Sequence, residues 1–178
     1  TAEDAAHGRE LWRSDGADAG TTLVKDIVPG AETAYPGGLY AFGGQLYFSA
    51  MESASGTELW ASDGTEAGTT LVKDINPGPD SSNPGPFLAA GGKLFFAISN
   101  GPGGAELWQT DGSDAGTTLV KDINPGDASS SPLWLTAVGG SLFFSASEPG
   151  TGRELWRSDG TDAGTTLVKD INPGPAPS

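Results

Sequence analysis

Acidic side chains recur in pairs along this sequence, three residues apart, inside a segment with the pattern Asp-Gly-x-[Asp/Glu]-Ala-Gly. The pairs are Asp15 with Asp18, Asp63 with Glu66, Asp111 with Asp114, and Asp159 with Asp162. Ca²⁺ prefers clustered carboxylates, so one interpretation is a calcium loop with the first Asp of each pair as a metal ligand. Calcium takes about six to eight oxygens, however, and each segment offers only two acids and a neighbouring hydroxyl. The ligand count favours a second interpretation, in which these first residues accept hydrogen bonds from the backbone of a turn.

Four tryptophans follow a Glu-Leu pair and are candidates for binding sugar rings: Trp12, Trp60, Trp108 and Trp156. Aromatic rings stack on sugars and nearby acids accept sugar hydroxyls, so these residues would make the chain a lectin. The alternative is that each Trp packs between neighbouring sheets and its indole N–H finds an acceptor. The presence of a Trp in every copy favours packing, because each repeat needs a side chain to fill the same position between sheets.

A fifth tryptophan, Trp134, is a stronger candidate for a ligand-binding residue. The equivalent residues of the two earlier copies are Gly38 and Pro86, so packing does not require an aromatic side chain there. The loops after the second strand of each copy also differ, and variable loops on a uniform scaffold often carry binding specificity. These loops lie at 51–57, 99–105 and 147–153. The other interpretation of the loops is drift in solvent-exposed turns.

The residue types present argue against an enzyme. The sequence has no Cys and a single His, so thiolate chemistry and a histidine metal cluster are excluded, and the expected position of that His argues against a Ser-His-Asp triad. That residue, His7, is expected in a loose N-terminal segment. Acidic residues are numerous enough for the carboxylate pair of a glycosidase. Each motif carboxylate occurs four times, however, whereas an active site needs one unique arrangement. We expect a non-enzymatic protein without a required cofactor, calcium being the one metal that the acidic pairs suggest.

Net charge and composition limit the classes of partner and of fold that this chain can have. The chain carries 23 acidic against 9 basic residues, a net charge of -14, which disfavours nucleic acids and anionic membranes as partners. No apolar run approaches the roughly 18 residues that a membrane-spanning helix needs. With 28 Gly and 13 Pro among 178 residues, the composition indicates many short strands joined by tight turns.

The elements that position these residues repeat every 48 residues. Each copy of Glu-Leu-Trp begins at the same step, at Glu10, Glu58, Glu106 and Glu154. Turn signals divide one period into four short strands, because Gly-Gly and Asp-Gly between apolar runs are typical of tight hairpins. Both faces of these strands are apolar, as Leu142, Phe143 and Phe144 illustrate, so both faces must be covered.

Four-stranded sheets that are covered on each side by their neighbours are the blades of a β-propeller, and the period fits such a blade. The predicted fold class is therefore all-β, a propeller, with a β-sandwich as the alternative. We expect a single repeat domain over 1–178, with three full blades after a half blade and before a tail. The bounds are 10–27 for the half blade, 36–76, 84–124 and 132–172 for the full blades, and 173–178 for the tail.

The resulting count is fourteen strands, which leaves the half blade without a partner. Three explanations stay open: the chain is part of a longer repeat array, it closes as an irregular four-bladed ring, or copies of it associate. In the last case two chains would supply enough strands for seven blades, and a contact that does not close would form a filament.

The four copies of Glu-Leu-Trp-x-[Ser/Thr]-Asp-Gly resemble the ELWxxDGT repeat of large bacterial secreted or surface proteins, over nearly the whole chain. Two copies depart from the pattern at its last position, with Ala17 and Ser113 in place of Thr. The resemblance implies an extracellular or cell-surface, propeller-like repeat protein and supplies no substrate.

Together these observations favour a structural or adhesive module that associates with itself or with further repeats of a longer chain. The alternative is a carbohydrate-binding propeller that holds glycans with Trp134, the other tryptophans and the variable loops.

Overall fold

The described chain is built from β-strands alone. A computed structural model describes residues 1–175, in which fifteen strands form four antiparallel sheets. This confirms the predicted all-β class. The described residues include no helix, and so none that is long and apolar enough to cross a membrane. The chain divides into two compact units, Thr1–Pro84 and a second unit that begins at Gly85, and each unit holds two sheets.

The first unit contains a three-stranded and a four-stranded sheet, each a meander in chain order. The strands of the first sheet are β1 (Ala2–Asp4), β2 (Gly8–Arg13) and β3 (Thr22–Lys25). Those of the second sheet are β4 (Gly37–Phe42), β5 (Gln45–Glu52), β6 (Gly56–Ser62) and β7 (Thr70–Lys73). As predicted, a Gly-Gly turn joins β4 to β5, and an Asp-Gly turn follows β6.

The second unit contains two four-stranded meanders. The strands of the third sheet are β8 (Phe87–Ala90), β9 (Lys93–Ala97), β10 (Leu107–Thr110) and β11 (Thr118–Lys121). Those of the fourth sheet are β12 (Leu133–Val138), β13 (Ser141–Glu148), β14 (Gly152–Ser158) and β15 (Thr166–Lys169). Residues 176–178 of the predicted tail lie outside the described residues.

The N-terminal residues form a strand that the sequence did not predict. β1 pairs with the first half of β2, so the expected two-stranded half blade has three strands and the total is fifteen rather than fourteen. The Asp4 carboxylate accepts hydrogen bonds from the backbone N–H groups of Ala6 and His7, which closes the turn between the two strands. His7 Nδ1 also lies 2.9 Å from Asp4 Oδ2, and this contact raises the pKa of His7. The expected loose segment is therefore an ordered hairpin.

All four sheets share one irregularity, between the strand with Glu-Leu-Trp and the strand after it. In the first sheet Leu11 lies opposite Lys25, whereas Trp12 lies opposite Leu23, so Val24 has no partner across the pair. The same register shift occurs in the other three sheets. An extra residue of this kind is a β-bulge, which redirects a side chain. Val24 joins Leu11 in the apolar core as a result.

The two sheets of each unit pack face to face through unlike sides. We call the side of a sheet that carries the Leu of Glu-Leu-Trp its Leu face, and the side that carries the Trp its Trp face. In the first unit, the Leu face of the first sheet clusters with the Trp face of the second: Leu11, Val24 and Ile27 with Phe48, Ala50 and Trp60. In the second unit, the third and fourth sheets repeat this contact: Leu107, Val120 and Ile123 with Phe144, Ala146 and Trp156.

Candidate functional site

The glutamate of each Glu-Leu-Trp is a fully buried charged group, for which the sequence suggested no role. The four residues are Glu10, Glu58, Glu106 and Glu154, and none is more than 1% exposed. A buried carboxylate is costly unless it is hydrogen-bonded. Its contacts therefore indicate what the motif is for.

Each of these carboxylates binds the linker that leaves its own sheet. Glu58 accepts hydrogen bonds from the backbone N–H groups of Ile75 at 3.0 Å and Ser82 at 2.7 Å, and from the Ser82 hydroxyl. Ile75 follows β7, and Ser82 lies seven residues further along the linker. Glu106 makes the equivalent contacts with Ile123 and Ser130. The glutamate thus fixes the path of the chain out of the sheet.

Burial determines the direction in which the pKa values of these glutamates are shifted. Desolvation raises the pKa of Glu10, Glu58 and Glu106 above the ordinary value of 4.5, although the hydrogen bonds they accept act in the opposite direction. A raised pKa means that the folded protein holds the proton more tightly than the unfolded chain does. The resulting stabilisation is complete below pH 4.5 and is lost as the pH rises through the folded pKa.

We therefore expect the free energy of unfolding to decrease as the pH is raised from 4.5 towards neutrality. Glu58→Gln should reduce this decrease, because an amide does not ionise. Urea unfolding followed by tryptophan fluorescence at several pH values measures both profiles. Glu3→Gln is the control, since it makes the same chemical change at an exposed side chain. Equal slopes for the wild type and Glu58→Gln would contradict the assignment.

The Asp-Gly segments form turns in which the first Asp accepts hydrogen bonds from the residue two positions later. Asp63 Oδ1 accepts the backbone N–H of Thr65 at 2.8 Å and its hydroxyl at 2.7 Å, which lowers the pKa of Asp63. Asp111 and Asp159 make the same pair of contacts, and their pKa values are lowered in the same way. Asp15 accepts the backbone N–H of Ala17, which has no hydroxyl to add. The predicted contact between these aspartates and the turn backbone is present.

The Ser or Thr before each Asp-Gly bridges the same turn. Its hydroxyl lies 2.7 Å from the hydroxyl of a Thr seven residues later and accepts the N–H of the motif Gly. The hydroxyl pairs are Ser14 with Thr21, Ser62 with Thr69, Thr110 with Thr117, and Ser158 with Thr165. The first Asp and the Ser or Thr before it are therefore engaged within the turn itself.

Replacement of Gly68 by Ala is expected to disrupt this turn, because an added Cβ would lie 2.1 Å from Asp63 Oδ1. The carboxylate must then leave its place against the Thr65 N–H. We expect a loss of about 1–3 kcal/mol in the free energy of unfolding. Thermal unfolding of Gly68→Ala beside Gly150→Ala measures it, since Gly150 has open space around its Cβ position. Comparable losses at the two sites would count against the role of the Asp63 contact.

Within residues 1–175, no three His, Asp or Glu side chains lie close enough together to share a metal ion. The acidic pairs also diverge in their contacts, because the second acid of the last pair, Asp162, binds Lys121 Nζ at 2.6 Å. Asp162 is largely exposed, and an exposed ion pair of this kind contributes about 0–1 kcal/mol.

The tryptophans of Glu-Leu-Trp pack into the sheets. Trp60, Trp108 and Trp156 are buried, whereas Trp12 is half-buried. One part of the sequence interpretation is wrong, because the indole N–H of all four has no hydrogen-bond acceptor in the described chain. The apolar cluster around Trp60 contains hydrocarbon side chains such as Phe48 and Leu71, which offer no acceptor. The three buried rings, of Trp60, Trp108 and Trp156, therefore present no open face to a sugar.

Trp134 differs from the other tryptophans in both exposure and backbone conformation. It is 73% exposed, and its φ of 55° lies in the left-handed region. That region is uncommon for a bulky residue and suits glycine, which occupies the equivalent position as Gly38 with a φ of 65°. A strained backbone at Trp134 therefore holds a large aromatic ring in solvent.

The Leu face of the fourth sheet is an exposed apolar surface. Its members are Val138, Leu155, Val168 and Ile171, each between 40% and 59% exposed. The equivalent residues of the third sheet are all buried: Ala90, Leu107, Val120 and Ile123. The same repeat positions are thus core in one sheet and surface in the next. Exposed apolar patches of this kind mark interaction sites.

Comparison with protein-family models, with curated proteins and with solved structures found no match for this chain.

Proposed function

We propose that this chain is a non-enzymatic structural repeat module of the β-propeller type, which associates with further copies of itself through the Leu face of its fourth sheet. The observation that carries the proposal is the exposure of this face, since the equivalent face of the third sheet is buried in its own unit. In both units a Leu face packs against a Trp face. A second copy offers a Trp face on its first sheet, where Trp12 is only half-buried.

A contact between unlike faces is heterologous, so repeated association forms either a closed ring or a filament. Within each unit two meander sheets pack through unlike faces, an arrangement that fits neighbouring propeller blades. The proposed location, outside a bacterial cell or on its surface, rests on the resemblance to the ELWxxDGT repeats alone.

Light scattering at increasing protein concentration tests this function. We expect species heavier than the 18.0 kDa chain, and we expect Val168→Asp to reduce them to the monomer because it places a charge in the contact. Leu39→Asp is the control, since Leu39 is equally apolar and 45% exposed but lies in the second sheet. A wild-type monomer at every concentration would refute self-association. Loss of the heavier species in a calcium chelator would instead favour a metal at the Asp-Gly turns.

Carbohydrate binding is a second candidate function, and the exposure of Trp134 supports it. A strained, solvent-exposed aromatic residue is a frequent feature of binding sites. The test is a glycan screen with the wild type and with Trp134→Gly, a variant that takes the residue of the first copy and should keep the fold. Binding that disappears in Trp134→Gly would support this alternative, whereas equal binding by both proteins would exclude Trp134 from the site.

A further inference from the structure

We infer that the first unit holds a docking site for a β-hairpin with the sequence of residues 83–96, a segment of this chain's own repeat. The site is a cavity of about 510 Å³ between the first two sheets, beside β2. The lining residues that carry the inference are Leu11, Trp12, Arg13 and Val24 from the first sheet, and Phe42 and Leu46 from the second.

The cavity adjoins a strand edge that has no partner in the described chain. β1 pairs only with Gly8–Glu10, and β2 continues beyond that pairing to Arg13. In the second sheet the equivalents of Trp12 and Arg13 are paired on this side, Trp60 with Phe48 and Ala61 with Tyr47 of β5. The free backbone groups of β2 are therefore available to an added strand, as in other cases of β-strand addition.

The second unit contains the side chains that occupy the equivalent space. There Phe95 of β9 and Ala90 of β8 lie in the cluster with Leu107, Val120 and Leu142. Phe95 is buried, and Leu88 of β8 packs against the same cluster. The first sheet has no strand equivalent to β8 or to β9, because β1 corresponds to residues 98–100, which follow β9. The cavity lies where those side chains would be.

The fitting occupant is therefore a hairpin with the sequence of residues 83–96, which contains both missing strand segments. Its second strand would continue the line of β1 along β2, so the pairing already present would be extended. Charge also favours it, because the chain has a net charge of -14 and this segment carries one Lys and no acid. In the second unit Lys93 Nζ donates to the carbonyl of Gly160, and the equivalent residue Gly64 lines the cavity.

This site differs from the surface that the proposed self-association uses on the fourth sheet. Its lining belongs to the first unit and shares Trp12 with the Trp face of the first sheet, whereas the exposed Leu face belongs to the fourth sheet. Val168→Asp should therefore leave hairpin binding intact, so that failure of one idea does not imply failure of the other.

The test is titration of the full chain with a synthetic peptide of residues 83–96, followed by calorimetry and by hydrogen exchange. We expect saturable binding of one peptide per chain and slower exchange in β2. Peptide with Phe95→Ser should bind at least about tenfold more weakly, because the cavity takes up that ring. Phe42→Ala in the protein should weaken binding several-fold. Leu39→Ala, at an exposed leucine of the same strand that does not line the cavity, should not.

Three results would overturn the inference. The first is the absence of binding at millimolar peptide. The second is equal affinity for the peptide with and without Phe95. The third is protection from exchange in the fourth sheet with none in β2, which would place the peptide on the exposed Leu face.

Discussion

Replacement of Glu58 by Ala is expected to destabilise the first unit by roughly 3–5 kcal/mol. The carboxylate is the acceptor for the N–H groups of Ile75 and Ser82 and for the Ser82 hydroxyl, and it is fully buried. Removing it leaves several buried donors without partners, and each such group costs about 1–3 kcal/mol. Urea unfolding followed by tryptophan fluorescence measures the loss.

Glu154→Ala is the matched control for this prediction, because Glu154 occupies the same repeat position. Among the described contacts it accepts one hydrogen bond, from Ile171 N–H, and its Oε1 has no partner. We expect a loss of about 1 kcal/mol there. If the two variants lose equal stability, the linker contacts are not what the buried glutamate provides.

The second large effect is expected at the valine of the Thr-Leu-Val-Lys segment, because copies of this valine with identical local sequence lie in different environments. Val120→Asp should unfold the second unit, with a loss of at least about 3 kcal/mol, because it buries a charge without a partner between two sheets. Val168→Asp makes the same change in the same local sequence but at a side chain that is 48% exposed. Its free energy of unfolding should stay within about 0.5 kcal/mol of the wild type.

Circular dichroism during thermal unfolding, with both variants and the wild type at a concentration where each is monomeric, measures this difference. The comparison holds sequence context constant, so only the covering of the Leu face varies. Similar losses for the two valines would mean that the Leu face of the fourth sheet is covered in solution even in the monomer.

The strands were predictable because their turns are marked by residues with special backbone chemistry. Gly-Gly and Asp-Gly lie between short apolar runs in every period, and hairpins occur at these points. β1 could not be predicted in this way, since Ala2–Asp4 has too little apolar character to indicate a strand. It is held by pairing with β2 and by the Asp4 turn, and neither is visible as a pattern.

The contacts of the buried glutamates and of the tryptophans were harder to predict from the sequence than the strands. A glutamate before Leu-Trp reads as a solvent-facing charge on an alternating strand, and nothing local indicates that Glu58 is buried. One signal was present: Ser82 and Ser130 each follow a motif glutamate by 24 residues. The prediction that each indole N–H finds an acceptor was wrong, because packing against Phe48 and its equivalents outweighs that general preference. Val120 and Val168 lie in identical local sequence, so the exposure of one could come only from the structure.

The buried glutamate also determines where this architecture tolerates a change in length. It must reach a donor seventeen residues away and another twenty-four away, so a residue inserted between the last strand and Ser82 would pull the donors out of register. The loop before Glu-Leu-Trp carries no contact of the buried carboxylate, and between β9 and β10 more of its residues lie outside the strands than in the other sheets, although the 48-residue step is unchanged. Foreign sequence grafted into that loop should be displayed without loss of the sheets, whereas the linker behaves as a spacer of fixed length.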